Sequence, residues 1–238
     1  MSDVKASPFT IGLFGAGGAT GRAALRAARE KGYRVIAFDH SAPDNPEQDP
    51  LITHVTVDVL NDDLAPHLSG VDAVISCLGV GNDPQTLLDP PPLYTKGTSA
   101  ICDGMQTHGL KRLVVISASF VEEKNRGPIW FKLPAMVALN NVFAQMAKME
   151  KQLAERRSID WTAVRPGWLM DGDATEDYTV QADVIPENMI RTRHADLGAF
   201  MVTLAASDDW VRGTPAIARH EDEKESSPAA VLTEMVGN

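Results

Sequence analysis

The sequence predicts an α/β fold: a doubly wound parallel sheet closed into a single domain. Three observations carry that expectation. Short runs rich in Val and Ile recur along the chain, and several are apolar on both faces, as strands covered by helices on both sides must be. Helical patterns separate one run from the next, which implies right-handed crossovers between parallel strands. The first run leads into Gly15, Gly18 and Gly21 at three-residue spacing, where a strand must turn sharply into a helix.

In chain order, the runs 9–15, 34–40, 53–59, 72–79, 112–119 and 161–167 read as strands, and 214–218 as a last short one. Helices are expected over 20–31, 61–68, 93–108, 135–157 and 194–206; the first of them, "RAALRAAREKG", is amphipathic. Three segments interrupt the alternation. Residues 41–50 and 81–92 are too proline-rich for element interiors, and 120–134 mixes charges with Trp130 and Phe131. The ordered body is expected to span 1–218. The tail 219–238, charged and then mildly apolar, reads as a mobile end or a short docked helix. No internal repeat is present.

Composition narrows the function classes. A chain of 238 residues is ample for a buried core, and 44% hydrophobic residues is ordinary for a globular protein. The net charge of −10 disfavours nonspecific contact with nucleic acid or an anionic membrane, so neither is expected as a partner. Cys77 and Cys102 have no second cysteine or histidine at metal-ligand spacing, and two buried thiols in a reducing compartment are expected. The start of the chain has no long apolar segment after a basic one, and no run approaches the ~20 apolar residues that span a bilayer. These features point to a cytoplasmic monomer or homodimer acting on a small molecule.

The glycine loop points to a dinucleotide. Gly15 permits the tight turn, Gly18 lets the backbone approach a pyrophosphate, and Gly21 lets the helix pack close to the strand. The free N–H groups and positive dipole end of the following helix face the anion. The strand before the loop, the amphipathic helix after it and a second strand ending in Asp39 supply the context that three glycines alone lack.

With its G-x-x-G-x-x-G spacing, the sequence resembles the atypical short-chain dehydrogenase/reductases with an NmrA-like NAD(P)-binding, Rossmann-like domain, the group that includes the flavin reductase/biliverdin reductase B type. The resemblance covers roughly residues 9–218. It rests on "GAGGATGR", Asp58 in "VTVDVLN", "DAVISCLG", "HGLKRLVVISAS", "IDWTAVRPG" and "IRTRHADLGAFM" in that order. It implies that Gly15, Gly17, Gly18, Ala19, Thr20 and Gly21 cradle the pyrophosphate. Asp39 would accept hydrogen bonds from the adenosine ribose, Asp58 and Val59 would flank the adenine, and Cys77, Leu78 and Gly79 would line the ribose side of the fourth strand. Pro166, Gly167 and Trp168 would approach the nicotinamide. Asp39 and Asp58 read equally as aspartates capping turns, and Arg165 reads as a structural partner. The cofactor expected is NAD(H), with NADP(H) possible. Asp39 repels a 2′-phosphate, His40 stands where NADP-binding relatives often carry arginine, and Arg22 and Arg34 are the other nearby cations.

Ordinary short-chain dehydrogenases pass a proton from a Tyr-x-x-x-Lys pair on the helix after the fifth strand. This chain has Tyr33, Tyr94 and Tyr178, none of them in 135–157, and Ala144 stands four residues before Lys148. Asn140 and Asn141 could orient a ligand but supply no proton. Hydride transfer to a planar, delocalised or carbonyl acceptor is the first reading, with proximity as the main device. Ser117 and Ser119 would donate hydrogen bonds to the acceptor or satisfy local backbone. Lys148 would bind the nicotinamide ribose or stay solvated. Trp130, Phe131 and Trp168 would form an aromatic lid or a satellite core. Asp171, Asp173, Glu176 and Asp177 lack calcium-loop spacing and read as a solvated loop, and the six histidines show no metal pair. A dinucleotide-sensing regulator of the NmrA type is the second reading, and an epimerase the third.

Overall fold

Period-two burial on both faces of the strands builds the architecture. The computed structural model describes residues 8–43, 49–81, 83–122 and 134–222. Strands β1 (Thr10–Phe14), β2 (Arg34–Asp39), β3 (Ile52–Thr56), β4 (Ala73–Ser76), β5 (Arg112–Ile116) and β6 (Asp160–Pro166) are followed by β7 (Trp168–Met170), β8 (Thr179–Ala182), β9 (Arg191–Arg193) and β10 (Pro215–Ala218). Eight of them form one sheet in the order β3-β2-β1-β4-β5-β6-β10-β8, parallel except for β8, which runs antiparallel to β10. β7 and β9 pair separately. The order reverses between β1 and β4, and a doubly wound sheet opens its binding crevice at such a point.

Helices α1 (Ala19–Glu30) and α5 (His194–Ala205) pack on one face, and α3 (Thr98–Thr107) and α4 (Pro134–Glu155) on the other, with the short α2 (Pro84–Leu88) beside α4. Ile11, Leu13, Val35, Ala37 and Ile75 face the first pair; Phe14, Phe38, Val74, Leu113 and Val115 face the second. Both registers of the central strands β1, β2, β4 and β5 are therefore apolar, and each fully buried Leu, Ile, Val or Phe is worth about 1.5–3 kcal/mol. α1 and α5 approach closely because their shared face is small. A Cβ at Gly198 would lie 2.5 Å from the Ala24 nitrogen.

The structure departs from the sequence expectations at the connections. Residues 61–68 form only a 3₁₀ turn at Ala65–His67, because Pro66 and the side-chain turns of Asp58 and Asp63 replace helical bonds. The expected helix over 93–108 opens with a π-helical turn, Leu93–Gly97, before α3. Part of the proline-rich 81–92 segment is helical, capped by Asp83, whose carboxylate accepts from Thr86 N at 2.9 Å. The strands β7, β8 and β9 were not anticipated; they lie in the stretch beyond 167 that carries few apolar runs. Trp130 and Phe131 lie outside the described residues, as does the tail beyond 222. The first residues of the tail are packed: Glu221 is buried and paired with Arg193 at 2.6 Å and Arg219 at 2.7 Å. No helix among the described residues is long and apolar enough to cross a membrane.

Candidate dinucleotide cleft

A cleft of about 1720 Å³ runs along the C-terminal ends of the strands, from the glycine loop to the start of β7. The three glycines have different jobs. Gly15 turns with φ +74°, and a Cβ there would meet Cys77 O at 2.6 Å. A Cβ at Gly21 would lie 2.0 Å from Gly15 O, so Gly21 packs helix against turn and is not on the cleft wall. At Gly18 a Cβ would meet only Gly15 O, at 3.5 Å. The room there belongs to the cleft. α1 begins at this point with no side-chain cap and no acidic residue in its first turn. The N–H groups of that turn keep their partial positive charge for a ligand. Gly15, Gly17, Gly18, Ala19 and Thr20 all line the cleft, and this cradle fits a pyrophosphate.

At the end of β2, the Asp39 carboxylate accepts from Gly17 N at 2.7 Å and from His40 N at 2.8 Å, and lies 2.9 Å from His40 Nδ1. Asp39 therefore clamps the glycine loop while lining the cleft. Asp58 and Val59 line it too. The Asp58 carboxylate accepts from Leu60 N and Asn61 Nδ2, bonds that hold it below the usual carboxylate range, so its turn-capping role is realised at the cleft wall. Arg22 donates to Gly17 O. Arg26 and Arg29 line the cleft beside it, and neither was singled out from the sequence. Their signal was legible: positions 22, 26 and 29 share one helical face. Thr20 Oγ1 lies 2.7 Å from His194 Nδ1, so α5 braces the first turn of α1.

Cys77, Leu78 and Gly79 line the middle of the cleft, and Pro166, Gly167 and Trp168 its far end. Gly167 is wedged in place. Its N–H donates to Thr192 Oγ1 at 2.9 Å, and a Cβ would meet Ile190 O at 2.6 Å. Burial pushes the Cys77 thiol up to about 12, which leaves it an unreactive wall residue.

The space beyond is apolar, walled by Leu93, Phe120, Val142, Phe143, Met146 and Trp168. Phe120 sits 5.4 Å from the Phe143 ring and 6.3 Å from the Trp168 ring. The three candidate catalytic residues are decided here, and for Ser119 and Lys148 the alternative left open in the sequence is the one realised. The Ser119 hydroxyl is fully buried and donates to Arg165 O at 3.0 Å, because the 3₁₀ turn Ser119–Val121 rotates it away from the cleft. Lys148 is exposed on α4, off the cleft wall. Ser117 does line the cleft, but its proton is engaged. It donates to Glu150 Oε1 at 2.7 Å, and Arg165 holds both oxygens of Glu150, at 3.0 and 2.7 Å. Ser117 thus presents acceptor lone pairs, not the donor expected of it. Arg165 also donates to Asp183 O at 2.9 Å, which makes it the structural partner expected. Tyr94, on the turn before α3, is buried at the wall of the same space. Among the described residues no cluster of His, Cys, Asp and Glu is placed to hold a metal ion. The acidic loop is tied down instead: Thr175 N and Oγ1 donate to Asp196 at 2.7 and 2.8 Å, and Asp177 pairs with Arg219.

Solved structures share this fold. The oxidoreductase ylbE of Lactococcus lactis is 20% identical, with a TM-score of 0.73 over 94% of this chain and 96% of that one. A candidate NADH-flavin reductase from Streptococcus pneumoniae is 19% identical, with a TM-score of 0.69 over 89% of this chain and 99% of that one. ChuY, an anaerobillin reductase from Escherichia coli O157:H7, is 19% identical, with a TM-score of 0.70 over 87% of this chain and 96% of that one. The model of the NAD(P)H-binding family matches residues 15–208, from the first glycine of the loop to beyond α5. The chain belongs to the NAD(P)H-binding family, on a Rossmann-like fold that these solved structures share.

Proposed function

We propose that the protein is an NAD(P)H-dependent oxidoreductase that reduces a small planar or carbonyl-bearing acceptor. One observation supports this most: a single cleft joins the uncapped glycine cradle to an apolar, aromatic-walled space at the ends of β5 and β6. When bound, a reduced nicotinamide supplies a hydride to that space. The residues around it orient an acceptor and exclude water. The fold's usual acid is missing from α4, where Ala144 and the solvent-facing Lys148 occupy the positions of the pair. NAD(H) is the preferred cofactor on this reading, since a carboxylate at the end of β2 on the cleft wall, Asp39, would repel a 2′-phosphate. The arginine face of α1 leaves NADP(H) possible.

The test is direct: measure NADH and NADPH affinity at fixed salt, then turnover against flavins, quinones and aldehydes. Saturable binding with turnover of one acceptor class is expected. Tight binding with no turnover across the panel would overturn the reading in favour of a dinucleotide-sensing regulator, which the missing Tyr-x-x-x-Lys pair also suits.

A further inference from the structure

We propose that Tyr94 is the proton donor of the reduction, passing its phenol proton to the oxygen of a carbonyl acceptor bound in the apolar end of the cleft. The proposal rests on the oxidoreductase reading. Tyr94 reaches the cleft from an unexpected element, the π-helical turn Leu93–Gly97, which replaces the expected start of a longer helix. That turn is wedged between two walls. On one side a Cβ at Gly97 would meet Val59 and Leu78 at 3.2 and 3.3 Å. On the other, α4 grips the preceding segment: Asn141 Nδ2 donates to Leu88 O at 2.7 Å and Gln145 Nε2 to Pro90 O at 2.8 Å. Tyr94 is thereby held beside Val80, in the same apolar cluster as Phe120 and on the wall of the cleft that Phe120 and Trp168 also line.

The other hydroxyls of the inner cleft are committed. Ser117 donates to Glu150, and Thr20 is paired with His194. Tyr94 differs. The backbone of Val80 favours its ionised form, so the group facing the phenol oxygen is the donor N–H. Among the described residues none accepts the Tyr94 proton, which leaves it for a ligand in the cleft. Burial pushes the phenol up to about 12, so at neutral pH it is protonated.

The step balances simply. A reduced nicotinamide held in the cradle would supply the hydride, its C–H bond breaking as the ring is oxidised; the new C–H bond forms at the carbonyl carbon, the C=O π pair moves to oxygen, and the Tyr94 O–H bond breaks to give the alcohol. The phenolate, facing the Val80 N–H, regains a proton from solvent. An alkoxide is basic enough to take a proton from so weak an acid. A reduced quinone is a far weaker base and gains little from it. The structure therefore favours an aldehyde or ketone over a quinone as the acceptor that depends on Tyr94.

The experiment compares wild type and Tyr94→Phe with benzaldehyde and menadione, and measures binding of benzamide, an unreduced carbonyl analogue, to the ligand-free protein. Tyr94→Phe should lower kcat for benzaldehyde by about 10²-fold, far more than it lowers menadione turnover, and weaken benzamide binding by about 2- to 10-fold. Benzaldehyde turnover by the wild type should slow in D₂O. Equal benzaldehyde turnover in both proteins, a wild type that reduces menadione but not benzaldehyde, or no D₂O effect overturns the Tyr94 proposal alone. A wild type that binds NADH and reduces nothing overturns the oxidoreductase reading together with it. The D₂O measurement on the wild type still overturns the proposal if it shows no effect, even where the variant fails to fold.

Discussion

Gly18→Val separates holding a dinucleotide from holding the fold. Gly18 has φ −70° and ψ 164°, extended backbone that any residue adopts, and an added Cβ meets only Gly15 O at 3.5 Å. Replacing a glycine at a compatible position stabilises by about 0.4–1 kcal/mol through the unfolded chain. For a chain of this size that is a Tm rise of about 1–4 °C. The branched side chain occupies the room in front of the first turn of α1, however, and keeps a pyrophosphate from its N–H groups. Each hydrogen bond to a charged group is worth about 1.5–3 kcal/mol, so each one lost raises Kd about 10- to 150-fold. Gly21→Ala is the control. Its Cβ would lie 2.0 Å from Gly15 O, and overpacking of this kind costs about 1–3 kcal/mol. Thermal melts without ligand and calorimetric NADH titrations read both effects. Wild-type NADH affinity in Gly18→Val refutes the cradle. A melting temperature far below wild type in that variant refutes its separation from the fold.

Asp39→Ala should weaken NADH binding, since it removes both the ribose acceptor and the clamp on Gly17 N, and should raise the NADPH-to-NADH affinity ratio; an unchanged ratio at fixed salt counts against the charge argument. Glu221 titrates near 2 in the folded protein because Arg193 and Arg219 bind it, against an ordinary 4.5. Its folded value is depressed, so its contribution to stability is full above pH ~4.5 and fades as pH falls toward 2. Glu221→Gln should flatten that part of the Tm-versus-pH curve, and a curve parallel to wild type would falsify the linkage. Cys77 and Cys102, pushed up to about 12 and 11 by burial, should resist a thiol reagent at neutral pH until the protein unfolds, so rapid labelling of the native chain would contradict their placement.

The sheet and the cradle were legible because their signals are periodic and local. Strands apolar on both faces, a Gly loop between strand and helix, and Asp39 at the end of β2 all stand in the sequence. The acceptor end was not legible, because it is set by contacts far apart in the chain. Ser117 could not be known as an acceptor until Glu150, 33 residues on, took its proton. Ser119 looked equivalent to Ser117, yet one 3₁₀ turn sends it to the Arg165 carbonyl. Lys148 carried the memory of a family motif, but its tyrosine partner is absent and it faces solvent. Tyr94 was set aside for lying outside the usual helix. The π-helical turn that brings it to the cleft has no pattern of its own in the sequence.

α1 shows how an acidic chain can offer an anion a binding place. The protein carries a net −10, which taken alone argues against phosphate ligands. Charge acts locally, however, because exposed charges farther apart than about 8–10 Å are largely screened at physiological salt. Over twelve residues α1 divides its faces. Ala23, Ala24, Ala27 and Ala28 are small enough to seat it against the sheet and α5, while Arg22, Arg26 and Arg29 line the cleft. The uncapped first turn adds its own partial positive charge at the same end. The small face positions the helix so that the positive groups line one cleft, which Asp39 lines too; on the proposed reading its carboxylate favours a ribose hydroxyl over a second phosphate. On the proposed reading the choice between the two cofactors sets the Asp39 carboxylate against the guanidiniums that line the same cleft, of which Arg29 also lies 3.9 Å from Asp49, and the sign of the whole protein has little say in it.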